Sequence, residues 1–150
     1  SKGETRYSAQ PAASGVEFKL VYEHPHRLVG RQEVEFCLSP EVYLREIAPA
    51  RTFAFSHEIK ALKAAGLALG GSLENAVVIA ESEILAKNGL RFADEFARHK
   101  LLDLIGDLAL TGLFFEGLSV EAERPGHVGN VNFAKLLADH SALRYDRHRP

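Results

Sequence analysis

The chain cannot form an internal disulfide, because Cys37 is its only cysteine. A lone thiol fits a reducing compartment, and a cytoplasmic location is the expectation. Long hydrophobic runs are missing too. Apolar residues make up 46% of the 150, yet none of their runs nears the ~18 that suggest a membrane span. No segment reads as a signal peptide. Charge of one sign is scarce: the formal net charge of −2 gives no broad pull toward nucleic acid or an anionic membrane. Gly70-Gly71-Ser72 lacks the lysine and spacing of a phosphate loop. Internal repeats and low-complexity tracts are absent. The missing initiator Met and the polar opening Ser1–Gln10 read as a processed N-terminus.

What is present organises as one domain. Residues 1–14 show little apolar periodicity and are expected to form a loose leader. Val16, Phe18, Leu20 and Tyr22 alternate with polar residues, as do Val34, Phe36 and Leu38. Two strands joined through the turn His24–Gly30 follow, a hairpin. Ser39-Pro40 offers an N-cap with proline at the first helical position, for a short helix ending before Pro49. Arg51–Phe55 reads as extended, Glu58–Ala65 as helical up to Gly66, and Ala76–Ala80 as a buried strand. A long helix is expected over Ala93–Thr111, with Phe96, Leu102, Ile105 and Leu108 in its apolar set. Leu118–Ala122 reads as a strand and Asn130–His140 as a second long helix. The fold class is therefore α+β: a two-layer sandwich of a mainly antiparallel sheet with two long helices. The domain should cover residues 15–143, with 144–150 as a polar tail.

The long helix carries the chemistry. His99 and Asp103 stand four residues apart, so both project from one face, about a turn apart. Imidazole nitrogen and carboxylate oxygen are both zinc ligands. Asp107, one turn further along the stripe, is placed to orient another histidine, and His127 is available in Gly126-His127-Val128-Gly129-Asn130. A catalytic zinc usually takes three protein ligands and keeps one open position, so this helix supplies part of a site. The competing interpretation of an H-x-x-x-D pair is a solvated helix face.

Two blocks widen the comparison: IAPARTFAFSHEIKALKAAGLALGGSLENAVVI over residues 47–79, and LRFADEFARHKLLDLIGDLALTG over 90–112 followed by GHVGN. They resemble the C-terminal domain of bacterial UDP-3-O-acyl-N-acetylglucosamine deacetylases, zinc enzymes of lipid A synthesis. The resemblance extends upstream to about Gly15. It implies that His99 and Asp103 are two Zn2+ ligands. It implies that His127 acts as general acid or stabilises the oxyanion as imidazolium, and that Asp107 holds it. Thr52 would hydrogen-bond an oxyanion or zinc-bound water. Lys100 would contact the substrate's polar head group and Phe53 would pack near the sugar. Ile59, Ala68, Leu73 and Val78 would line an acyl-chain passage. For Phe53 and the acyl-lining residues, ordinary core is the alternative. The substrate implied is UDP-3-O-acyl-N-acetylglucosamine. The family also uses a Glu-His pair from its first domain, as general base and third ligand. His57-Glu58 has the reverse order and lies in a different segment. An N-terminal deacetylase domain or chain is thus the implied partner. Arg124-Pro125 departs from the small hydroxyl residue that usually precedes the glycine.

Two other functions fit the same residues. One is a non-catalytic acyl-sugar-nucleotide binding or regulatory domain of this fold. The other is a hydrolase completed by homodimerisation, with His57 or His140 crossing the interface.

Overall fold

Alternation of apolar and charged side chains shapes the main sheet. The computed structural model describes residues 4–66, 69–113 and 115–146, the last six by backbone alone. The strands are β1 (Arg6–Pro11), β2 (Val16–His24), β3 (Gly30–Cys37), β4 (Thr52–Phe55), β5 (Ala76–Ile79), β6 (Ile84–Leu85) and β7 (Leu118–Glu123). The helices are α1 (Pro40–Val42), running into a π-helical turn over Tyr43–Ile47, then α2 (Ile59–Ala64), α3 (Glu95–Ala109) and α4 (His127–Asp146).

The first sheet has the order β1-β7-β2-β3. β2 pairs antiparallel with β3, and β1 antiparallel with β7, while β2 and β7 run parallel. Phe18, Leu20, Val34, Val120 and Ala122 fall on one face and are buried. They share one core with Ala97, Leu101, Leu104 and Leu108 of α3 and with Phe133 and Ala134 of α4. The opposite face is charged, with Lys19 bridging to Glu33 at 3.2 Å. A sheet with one wet and one dry face covered by two long helices is the expected α+β sandwich.

The order β4-β5-β6 makes a second, smaller sheet. Phe55, Val77 and Ile79 of this sheet join Val29 and Phe96 in a separate core. Phe96 thus ties the start of α3 to the small sheet, while Leu101, Leu104 and Leu108 pack on the large one. α3 ends at Ala109, and the turn after it reaches Gly112 at φ +66°, a conformation glycine takes without steric cost.

Three expectations are corrected. Residues 1–14 are not simply a loose leader, because Arg6–Pro11 pairs in register with β7 from Arg6 opposite Glu123 to Pro11 opposite Leu118. The strand is almost wholly exposed, so it carries little of the apolar alternation by which strands are read. Residues 144–146 continue α4; residues 147–150 lie outside the described residues. The buried stripe of α3 is Phe96, Ala97, Leu101, Leu104 and Leu108, with Leu102 and Ile105 half-buried beside it. The second helix starts at His127 rather than Asn130.

Candidate active site

The site is assembled on α3 and the first turn of α4. His99 and Asp103 are nearly buried, with side chains 12% and 11% exposed, and Nε2 of His99 lies 3.5 Å from Oδ1 of Asp103. Nδ1 of His99 lies 3.2 Å from the Ala50 carbonyl. In the tautomer that donates from Nδ1 to that oxygen, Nε2 keeps its lone pair, as a metal ligand requires. Burial pushes the His99 pKa below its usual 6.5, against the opposing influences of Asp103 and the Ala50 hydrogen bond. Burial thus favours the neutral imidazole beside the carboxylate. That donor set suits Zn2+. Among the described residues, no group of three or more His, Cys, Asp or Glu side chains is arranged to hold a metal ion.

Asp103 is a meeting point. Lys100 donates to its Oδ2 at 3.1 Å, and Nε2 of His127 stands 3.9 Å from the same oxygen. His127 is the first residue of α4 and its side chain is 68% exposed. Its Nδ1 lies 2.8 Å from Oδ2 of Asp107, which also accepts from Nδ2 of Asn130 at 2.9 Å. His127 therefore turns Nδ1 toward Asp107 and Nε2 toward Asp103. The spacing of residues 99, 103 and 107 along one helix stripe produces this arrangement directly.

Phe53 forms a wall beside these groups. Its ring meets that of His99 edge-on at 6.0 Å and that of Phe96 at 4.8 Å, and Nζ of Lys100 lies 5.4 Å from its centroid. Thr52 is exposed at the start of β4, and no hydrogen bond joins its hydroxyl to His99, Asp103 or His127. Ile59 and Val78 are half-buried on α2 and β5, and Leu73 is exposed at 46%. These three belong to the segment from β4 to β5; Ala68 lies outside the described residues. His57 rests near the Phe55 ring at 5.7 Å, and His140 bonds the Leu136 carbonyl through Nδ1.

Sequence reasoning missed the groups that brace the site. Arg51 and Glu95 form a buried ion pair, Nε to Oε1 at 2.9 Å. The Glu95 carboxylate also accepts from the backbone N–H of Arg51 and of Arg91. This clip joins the start of β4 to the first turn of α3. It fixes the backbone next to Ala50, whose carbonyl holds His99. Burial alone would raise the Glu95 pKa, but hydrogen bonds from Arg51 and the two backbone donors outweigh it and leave it lowered. The available signal was a glutamate set directly before the buried pair Phe96-Ala97.

Comparison with known proteins adds a family. A family model described as UDP-3-O-acyl N-acetylglycosamine deacetylase matches residues 1–139. A UDP-3-O-acyl-N-acetylglucosamine deacetylase of an Anaeromyxobacter species is 49% identical over 133 residues, covering 88% of this chain and 43% of the relative. One of a Nitratiruptor species is 45% identical over 123 residues, 82% of this chain and 41% of the relative. One of Oleidesulfovibrio alaskensis is 42% identical over 132 residues, 88% of this chain and 42% of the relative. The chain therefore spans less than half the length of these relatives.

Proposed function

Because the chain belongs to the UDP-3-O-acyl N-acetylglycosamine deacetylase family, we propose that it forms the zinc-binding and acyl-binding half of a deacetylase. That enzyme removes acetate from UDP-3-O-acyl-N-acetylglucosamine in lipid A biosynthesis. The observation that carries this reading is the convergence on Asp103 of His99, 3.5 Å away, and an Asp107-held His127, 3.9 Å away. His99 Nε2 and an Asp103 oxygen would be two ligands to Zn2+. The chemistry supplied by a bound Zn2+ is Lewis acidity toward an amide carbonyl and a lowered pKa of water.

This chain's own residues do the rest of their share. Asp107 orients His127 through Nδ1, so that Nε2 faces the site as proton donor to the leaving amine. Lys100, half-buried beside Asp103, offers its ammonium to the polar head group. Thr52 offers a hydroxyl to the developing oxyanion. Phe53 presents an aromatic wall to the sugar. Ile59, Leu73 and Val78 would line the passage for the acyl chain, with Ala68, which lies outside the described residues, as the fourth expected member. The third ligand and general base, a Glu-His pair, come from an N-terminal domain or companion chain. The much greater length of the relatives leaves room for such a domain.

A domain that merely binds the acyl sugar nucleotide would need no proton donor aimed at the ligand pair, and the 2.8 Å contact of Asp107 with His127 weighs against it. The test is acetate release from UDP-3-O-acyl-N-acetylglucosamine by the complete protein. His127→Ala should lower kcat by a factor on the order of 100 or more, the usual worth of a general acid, with zinc content unchanged. Full activity in that variant would sink the assignment.

A further inference from the structure

The exposed strand β1 brings a phenol to the back of the site. Tyr7 lies opposite Ala122 in the β1–β7 register, and its ring stacks on Phe133 with centroids 5.1 Å apart. The hydroxyl donates to Oδ1 of Asn130 at 2.7 Å and accepts from the Gly126 N–H at 3.2 Å. The Asn130 side chain is fully buried. With Oδ1 committed to the phenol, its amide can turn only Nδ2 toward Asp107, and it does so at 2.9 Å. The same Asp107 oxygen receives His127 Nδ1 at 2.8 Å. A continuous relay therefore runs from β1 through α4 and α3 to the proton-carrying imidazole.

A second observation concerns Gly129. A Cβ there would stand 2.5 Å from the Tyr7 hydroxyl oxygen and 2.9 Å from Cε2 of the ring. Gly129 has no positive φ, so its backbone does not demand glycine. The missing side chain is instead the space in which the phenol reaches Asn130. Burial raises the phenol's pKa; the Gly126 hydrogen bond opposes this and the charge of Asp107 adds to it. Tyr7 accordingly remains a donor across the ordinary pH range.

We propose that Tyr7 is a positioning residue for deacetylation: through Asn130 it locks the Asp107 carboxylate so that His127 presents Nε2 to the site. The proposal rests on the functional reading above. Its test is Tyr7→Phe in the complete protein, which keeps the ring stacked on Phe133 and deletes the hydroxyl. The variant should lose about fivefold to tenfold in kcat, the worth of one neutral hydrogen bond, with KM within about twofold. Two-bond 1H–15N spectra at alkaline pH should show His127 shifting from the Nδ1–H tautomer toward a mixture. Gly129→Ala, which displaces the phenol at a helical position that favours alanine, should reproduce both effects. The Tyr7→Phe/Gly129→Ala double variant should lose no more than either alone. Unchanged kcat in Tyr7→Phe overturns the proposal. So does a fall in kcat with the His127 spectrum unmoved, since that is a merely structural effect. A His127→Ala variant with full activity would defeat the functional reading instead, which the spectra distinguish because they report on the relay without turnover.

Discussion

Removing the Glu95 carboxylate should unlatch β4 from α3. Glu95 is wholly buried and the Arg51 side chain is 3% exposed. Four donors enter that carboxylate: Arg51 N at 3.0 Å, Nε at 2.9 Å and Nη2 at 3.0 Å, and Arg91 N at 2.7 Å. Arg51 directs further N–H groups at the carbonyls of Lys87 and Gly89. Glu95→Ala leaves a buried guanidinium without its counter-charge, a loss of about 3–5 kcal/mol. It also strips two backbone N–H groups of their acceptor, each worth about 1–3 kcal/mol if it stays dry. These losses overlap, and about 4 kcal/mol is the working figure, a large part of a stability of ~5–15 kcal/mol. With a urea slope near ~2 kcal/mol/M, the unfolding midpoint should fall by about 2 M. Replacing both partners by apolar residues, Arg51→Met with Glu95→Leu, should recover much of it. The pH dependence has a definite sign. The folded-state pKa of Glu95 lies below its ordinary 4.5, so its contribution is complete above that value and is lost as pH falls through the folded-state pKa. Glu95→Ala should lack that component of acid sensitivity. A loss under about 1 kcal/mol, or an unchanged acid profile, would refute the reasoning.

Two further outcomes are expected. In metal-free protein, NMR titration of His99 should give a midpoint below 6.5, because burial disfavours its charged form; the stability linked to it is full above 6.5 and is lost as pH falls, and a midpoint at or above 6.5 would contradict the geometry. Leu101→Ala, at a fully buried position between α3 and the large sheet, should cost about 2–5 kcal/mol in urea unfolding, and a loss under about 1 kcal/mol would mean that the core is not packed as described.

The sequence made some features legible and hid others for physical reasons. Alternation over β2 and β3 and the long apolar stripe of α3 come from half-buried elements, where the pattern itself is the signal. Ser39-Pro40 could be read because a cap is local, and Ser39 Oγ does accept the Val42 N–H at 3.1 Å. β1 escaped because both its faces are mostly wet; hydrogen bonds to β7 hold it, and these leave no mark on side-chain type. β6 has two residues, too few to show a period. At the site, the i, i+4 spacing was enough to set His99 beside Asp103, and one further turn brought Asp107 to His127. Tyr7, Asn130 and the Arg51–Glu95 clip join residues between 23 and 123 positions apart. Long-range polar pairs of this kind have no periodicity, so only the folded chain displays them.

The measurement that bears most directly on the account is zinc content, read by native mass spectrometry on the complete protein purified without chelator. The wild type should carry one zinc per complete site, and His99→Ala and Asp103→Ala should each lose it while keeping the same subunits. Full zinc occupancy in both variants would contradict the assignment of these two side chains as metal ligands.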